Sequence, residues 1–150
     1  MALPDAATTT GDTTPPDLGT AARHAAFLLP AERRSVSEAR HRVLQQLRAW
    51  GILAEGCDTA ALVVSELFAN AVIHTSSRTI AFNLGATPEQ LLIQVVDDGS
   101  GPSTPRSQRA DTDAEFGRGL LLVQSMTERW GVGPVEDGAG RIVWATVRLN

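Results

Sequence analysis

The 150-residue chain has a mass of 15.9 kDa, 43% hydrophobic residues and a formal net charge of -4 with a pI near 5.3. That size fits one domain with a real core, and the acidic balance argues against a nucleic-acid binder held by a basic face, which needs clustered positive charge. All 13 basic residues are Arg, so a phosphate-loop lysine and Schiff-base chemistry are excluded and any cation on a phosphate has to be Arg or a metal.

Residues 1–24 are rich in Ala, Thr, Asp and Pro and lack an apolar core segment, so they read as a disordered tail rather than a signal peptide. The domain is expected over residues 25–150. It opens with a short strand at 25–29, ended by Pro30. A helix over 35–50 then places Val36, Ala39, Val43, Leu44 and Leu47 on one side and Arg40, Arg42 and Arg48 elsewhere, the pattern of a surface helix on a sheet, closed by Gly51. Cys57 is the only cysteine. No disulfide or CxxC cluster is possible, so a reducing, cytoplasmic setting is expected, with Cys57 a small, partly buried residue ahead of the next helix. No apolar run long enough to cross a membrane is expected.

The next helix, over 59–74 behind Asp58 as N-cap, is apolar around most of its circumference. Residues 78–84 alternate Ile80, Phe82 and Leu84 with Thr79, Ala81 and Asn83, and residues 85–89 carry turn chemistry into Gln90–Asp97, so two antiparallel strands are expected. Residues 102–116 are polar, carry Arg106 and Arg109, and read as a mobile loop. A helix over 119–130, ended by Gly131, a hairpin turn at Gly138-Ala139-Gly140 and a final interior strand at 141–149 complete the chain, which shows no internal repeat.

Three polar pieces stand out against this frame. Glu66, Asn70 and His74 recur every four residues and so line one helix face. Asn is a poor helix-interior residue, and buried polar groups need partners. Taken alone, the stripe fits a solvated helix edge as well as a face turned to a ligand. Asp97 shares a strand face with Ile93 and Val95; if that face is covered, its carboxylate points into the core, where an exocyclic amine such as that of adenine would satisfy it. An Asp capping the glycine turn that follows is the ordinary alternative. Gly99 and Gly101 would let backbone pass close under a planar ring. Gly117 and Gly119 would bring amides to phosphate oxygens at a helix amino terminus, with Arg118 adding charge; a plain loop-to-helix junction is the other reading. Asn70 offers a hard oxygen to magnesium, and Glu66 lies one turn away to take or align a hydroxyl proton. His74, at its helix end, suits a carbonyl and the helix dipole better than catalysis.

In order and spacing these pieces resemble the Bergerat-fold ATP-binding superfamily of gyrase, histidine kinases and MutL, over about residues 25–149. Residues 66–74 look like its N box, 97–101 and 117–120 like its two glycine boxes, and 102–116 like its lid. The short form with a Gly-Arg-Gly-Leu-Leu-Leu-Val run is similar to the RsbW and SpoIIAB type of anti-sigma-factor serine kinase. The resemblance implies a two-layer α/β sandwich, with a mixed, largely antiparallel sheet and three principal helices on one face. It implies ATP and Mg²⁺ as cofactors, adenine recognition by Asp97, magnesium held through Asn70, base duty for Glu66, and nucleotide contacts from Gly99, Gly101, Gly117, Arg118, Gly119 and Leu120. The implied partners are a sigma factor and an anti-anti-sigma protein of the STAS fold, with a homodimer favoured and no direct contact with nucleic acid or membrane. A Thr met in that family near the start of the last strand is replaced by Ile142, which leaves Thr146 as the hydroxyl to serve. No phospho-accepting His helix is expected ahead of the domain and no transducer domain after it, so neither a complete sensor kinase nor gyrase chemistry is expected. The rival expectation is a nucleotide-responsive binding module that sequesters a regulator without kinase activity.

Overall fold

The computed structural model describes residues 15–19, 22–75, 77–97, 123–134 and 140–149. Its elements in chain order are β1 (Arg23–Pro30), α1 (Ser35–Ala49), α2 (Ala54–His74), β2 (Thr79–Ala86), β3 (Gln90–Asp97), β4 (Arg129–Pro134) and β5 (Arg141–Arg148). The strands form one sheet in the order β1-β2-β3-β5-β4, and every pairing among the described residues is antiparallel. With helices packed on it, this is the expected α/β sandwich.

One face of the sheet is apolar because the strands alternate. Ile80, Phe82 and Leu84 of β2, Leu91, Ile93 and Val95 of β3, and Val143, Ala145 and Val147 of β5 all point into a single core. Phe68 of α2 meets Phe82 edge-on with ring centroids 6.1 Å apart, and Phe27 of β1 stacks on the same ring at 4.8 Å. α1 packs on α2 through Ala39, Val43 and Leu47, its fully buried stripe. Of the third expected helix, a helical turn at residues 123–126 lies within the described residues, and its Val123 enters the core.

α1 ends where glycine allows. Gly51 adopts φ +80°, its N–H bonds to Arg48 O at 2.9 Å, and the Ile52 N–H reaches Leu47 O at 3.0 Å, so the last carbonyls are satisfied in a Schellman turn. That turn delivers the chain to Leu53 in extended conformation, and α2 starts at once. Asp58 is therefore not the N-cap of α2: the helix begins at Ala54, with Glu55 complementing the dipole in the first turn. Gly56 misleads a reading by propensity. A Cβ there would stand 3.1 Å from both Ile52 and Leu149, so close packing of the α1–α2 connection and the residue after β5 places a glycine inside a helix. Cys57 lies within this first turn, fully buried, with its thiol directed to Ile52 O at 3.4 Å, and burial pushes its pKa up from 9.0.

Two further expectations change. At 21 residues α2 is long and apolar enough to cross a membrane, contrary to the expectation of no such run, but more than half of it is buried in this fold, as befits a core helix. Residues 129–134 form a strand and do not continue the preceding helix. Glu128 N–H bonds to Thr146 O at 2.8 Å and β4 pairs along β5, with Gly131 opposite Trp144. A Cβ on Gly131 would lie 2.8 Å from three atoms of the indole, and the Arg129 guanidinium covers the same ring at 5.5 Å. The Trp144 ring thus lies over a glycine on the face of the sheet away from the core helices. Part of the segment expected as a tail also meets this face: Leu18 approaches Gly85 so closely that a Cβ there would be 3.2 Å away.

Candidate functional site

α2 spans the covered face of the sheet, packed on β2, β3 and β5, so its polar stripe is held at a fixed height over the strands. Four residues of helix rise about 6 Å, which sets Glu66 and Asn70 one turn apart. A side-chain relay fixes the helix just before them: Arg40 Nη1 donates to Ser65 Oγ at 3.1 Å, and Ser65 Oγ donates to Ala61 O at 2.7 Å. Arg40 thereby ties α1 to the residue preceding Glu66, a positioning role that a helix-periodicity reading, which treated it as outward-facing, does not reveal.

Burial separates the members of the stripe. Asn70 is only 7% exposed, and its Oδ1 is buried with no hydrogen-bond partner among the described residues. Glu66 is half-buried and makes no ion pair among them. His74 is buried in the last turn of α2. The edge is therefore not simply solvated. An orphaned amide oxygen in the interior is a cost that a native fold retains for a reason, and a hard cation is a fitting complement.

Asp97 closes β3 on the same face as Ile93 and Val95, and that face is the covered one. Its side chain is 1% exposed, and its Oδ2 accepts a hydrogen bond from Arg141 Nη2 at 3.1 Å. Register accounts for the pair, because Asp97 and Arg141 stand directly opposite on β3 and β5. The same register corrects the reading of the last strand. Ile142 and Thr146 face away from the core helices, opposite Val96 and Leu92, so neither faces the Asp97 side of the sheet. Thr146 Oγ1 is buried there without a partner among the described residues. The β5 residue beside Asp97 is Arg141, which sequence reasoning passed over; Val143, Ala145 and Val147 as core residues carried the signal, since two-residue alternation puts Arg141 on their side.

Asn70, on α2, and Asp97, at the end of β3, are thus both buried on the helix-covered side of one sheet. Gly99, Gly101, Gly117, Arg118, Gly119 and Leu120, together with the loop at 102–116, lie outside the described residues.

Residues 29–147 match the profile of the histidine kinase-like ATPase domain. No curated protein matches the chain. Among solved structures, the histidine kinase domain of a blue-light activated histidine kinase from Erythrobacter litoralis is 22% identical with a TM-score of 0.47, over 81% of this chain and 62% of that one. Histidine kinase AdeS of Acinetobacter baumannii is 13% identical with a TM-score of 0.45, over 85% of this chain and 69% of that one. The chain therefore spans less than two thirds of the length of the first of these structures.

Proposed function

Since the chain belongs to the histidine kinase-like ATPase domain family, we propose that it is a Mg·ATP-dependent protein serine kinase of the anti-sigma-factor type. In this reading it acts in the cytoplasm, transfers the γ-phosphate of ATP to a serine of a STAS-fold partner, and holds a sigma factor. The observation that supports it best is the pairing of a half-buried carboxylate, Glu66, with an orphaned amide oxygen, Asn70 Oδ1, on adjoining turns of one helix face.

Each residue then has one task. Asp97 accepts a hydrogen bond from the adenine amine in a site where water competes poorly. Asn70 Oδ1 would hold Mg²⁺, which takes few protein ligands and relies on phosphates and water for the rest; the ion supplies charge neutralisation on the phosphate oxygens. Glu66 accepts the hydrogen bond, and finally the proton, of the serine hydroxyl as its oxygen bonds to the γ-phosphorus and the bond from that phosphorus to the ADP oxygen breaks. ADP leaves with the electron pair. Gly117, Arg118 and Gly119 enter this account as phosphate contacts through the family resemblance, as Gly99, Gly101 and Leu120 do for the nucleotide.

The test is labelled Mg·ATP incubated with the protein and candidate STAS partners, with phosphoserine as readout. Glu66→Gln keeps the shape of the side chain and removes the base, so transfer is expected to fall by about 100-fold or more while ATP affinity holds. Full-rate transfer by that variant rules out Glu66 as the base. ATP binding with no phosphoserine on any partner makes the protein a nucleotide-responsive binding module.

A further inference from the structure

The Asp97–Arg141 pair brings opposite charges together on the helix-covered side of the sheet. A carboxylate alone offers only acceptors, whereas this one carries beside it a guanidinium, which offers only donors. The two side chains are 1% and 17% exposed, so both groups are largely withdrawn from water. Arg141 uses Nη2 on Asp97 at 3.1 Å, and its Nε–H is buried with no acceptor among the described residues. A fully charged group with an unmet buried donor is incomplete until a ligand acceptor arrives. The partners come from facing positions on two paired strands, so their spacing is set by the sheet and not by a loop.

Adenine presents the complementary edge. Its exocyclic amine is a donor, and the ring nitrogen on either side of it is an acceptor. We propose that Arg141 is a specificity-determining residue of the nucleotide site: Asp97 takes the amine, Arg141 donates to a flanking ring nitrogen, and the two read the base as a donor–acceptor couple. This rests on the ATP-binding reading above and adds a second, charged contact to the base. If Arg141 only neutralised Asp97, its substitution would lower the affinity for every adenine nucleotide alike. A base-reading Arg141 is sensitive to the loss of one ring nitrogen.

The experiment is calorimetric titration of the full chain, with Mg²⁺, using ATP, 1-deaza-ATP and 7-deaza-ATP against the wild type, Arg141→Met and Arg141→Lys. The wild type is expected to bind one of the two analogues about tenfold more weakly than ATP, and which one identifies the edge that is read. Arg141→Met is expected to weaken ATP by a similar factor and to lose discrimination against that analogue, with Arg141→Lys restoring part of it. Wild-type affinities for ATP and both analogues within about twofold of one another overturn the inference, as does Arg141→Met that still discriminates. A wild type blind to both nitrogens overturns the inference even if Arg141→Met fails to fold. Tight ATP binding with no sensitivity to either nitrogen removes only the role of Arg141; absence of ATP binding by the folded wild type removes the ATP site itself.

Discussion

Replacing Asn70 by Leu should stabilise the nucleotide-free protein while impairing Mg·ATP binding. The two side chains share a heavy-atom count and branching, with Leu the bulkier, so the change swaps an orphaned amide for apolar atoms among Leu67, Ala71 and their neighbours without opening a cavity. Removing an unsatisfied buried polar group relieves about 1–3 kcal/mol. Leu also exceeds Asn in helix propensity by about 0.5 kcal/mol. Some repacking strain offsets these gains, and a net of about 1–2 kcal/mol raises the melting temperature of a domain of this size by about 2–8 °C. The assay is thermal unfolding by circular dichroism, followed by titration with ATP in Mg²⁺ and in EDTA. The variant should melt higher than the wild type and lose the Mg²⁺-dependent part of its affinity. A variant that melts lower would mean that Asn70 Oδ1 is satisfied in the native protein, and one that keeps full Mg²⁺-dependent affinity would remove Asn70 from the metal site. Stability and binding moving in opposite directions is the signature of a functional residue kept against its structural cost.

Two further outcomes test the surrounding fold. Gly131→Ala should destabilise by about 1–3 kcal/mol, measured by urea unfolding, because the new methyl group collides with a Trp144 ring that has little room to yield, and a neutral result would displace that ring from the glycine. Burial raises the Cys57 pKa, so its thiol should resist iodoacetamide at pH 8 in the native protein and react once urea is added. The folded pKa lies above the ordinary value of 9.0, so its share of stability is complete below 9.0 and is lost as pH rises through the folded value. The chain has no Lys or Tyr to titrate alongside it, so Cys57→Ala should flatten the fall in stability in that alkaline range, and an unchanged slope would refute the assignment.

Much of the frame was legible because strand alternation and helix periodicity agreed with burial. Gln90–Asp97 was read to the residue, and the alternation of Ile80, Phe82 and Leu84 named the covered face. Gly51 marked the end of α1 through the one backbone conformation that favours glycine. The misses share a physical cause, tertiary contact overriding local preference. Asp58 looks like an N-cap, yet α2 begins four residues earlier at Ala54, with Gly56 packed against Ile52 and Leu149. The run from Thr127 to Trp130 continues a helical spacing, yet pairing with β5 wins and turns it into an edge strand. At the site, Asp97, Asn70 and Glu66 were visible as polar residues in apolar company. Arg141 was not, because its meaning depends on which residue of another strand it faces, and only the register fixes that. Ile142, the position set against the family's Thr, is one residue along from Arg141, and that step in parity carries its side chain to the opposite side of the sheet.

Asp97→Asn tests the nucleotide site most directly, by titrating Mg·ATP into the folded variant and the wild type under the same conditions. The amide keeps the shape but exchanges a charge-assisted bond to the base for a neutral one and strips Arg141 of its counter-ion, so affinity should fall about tenfold or more. Equal affinity in the two proteins would contradict an adenine pocket built on that carboxylate.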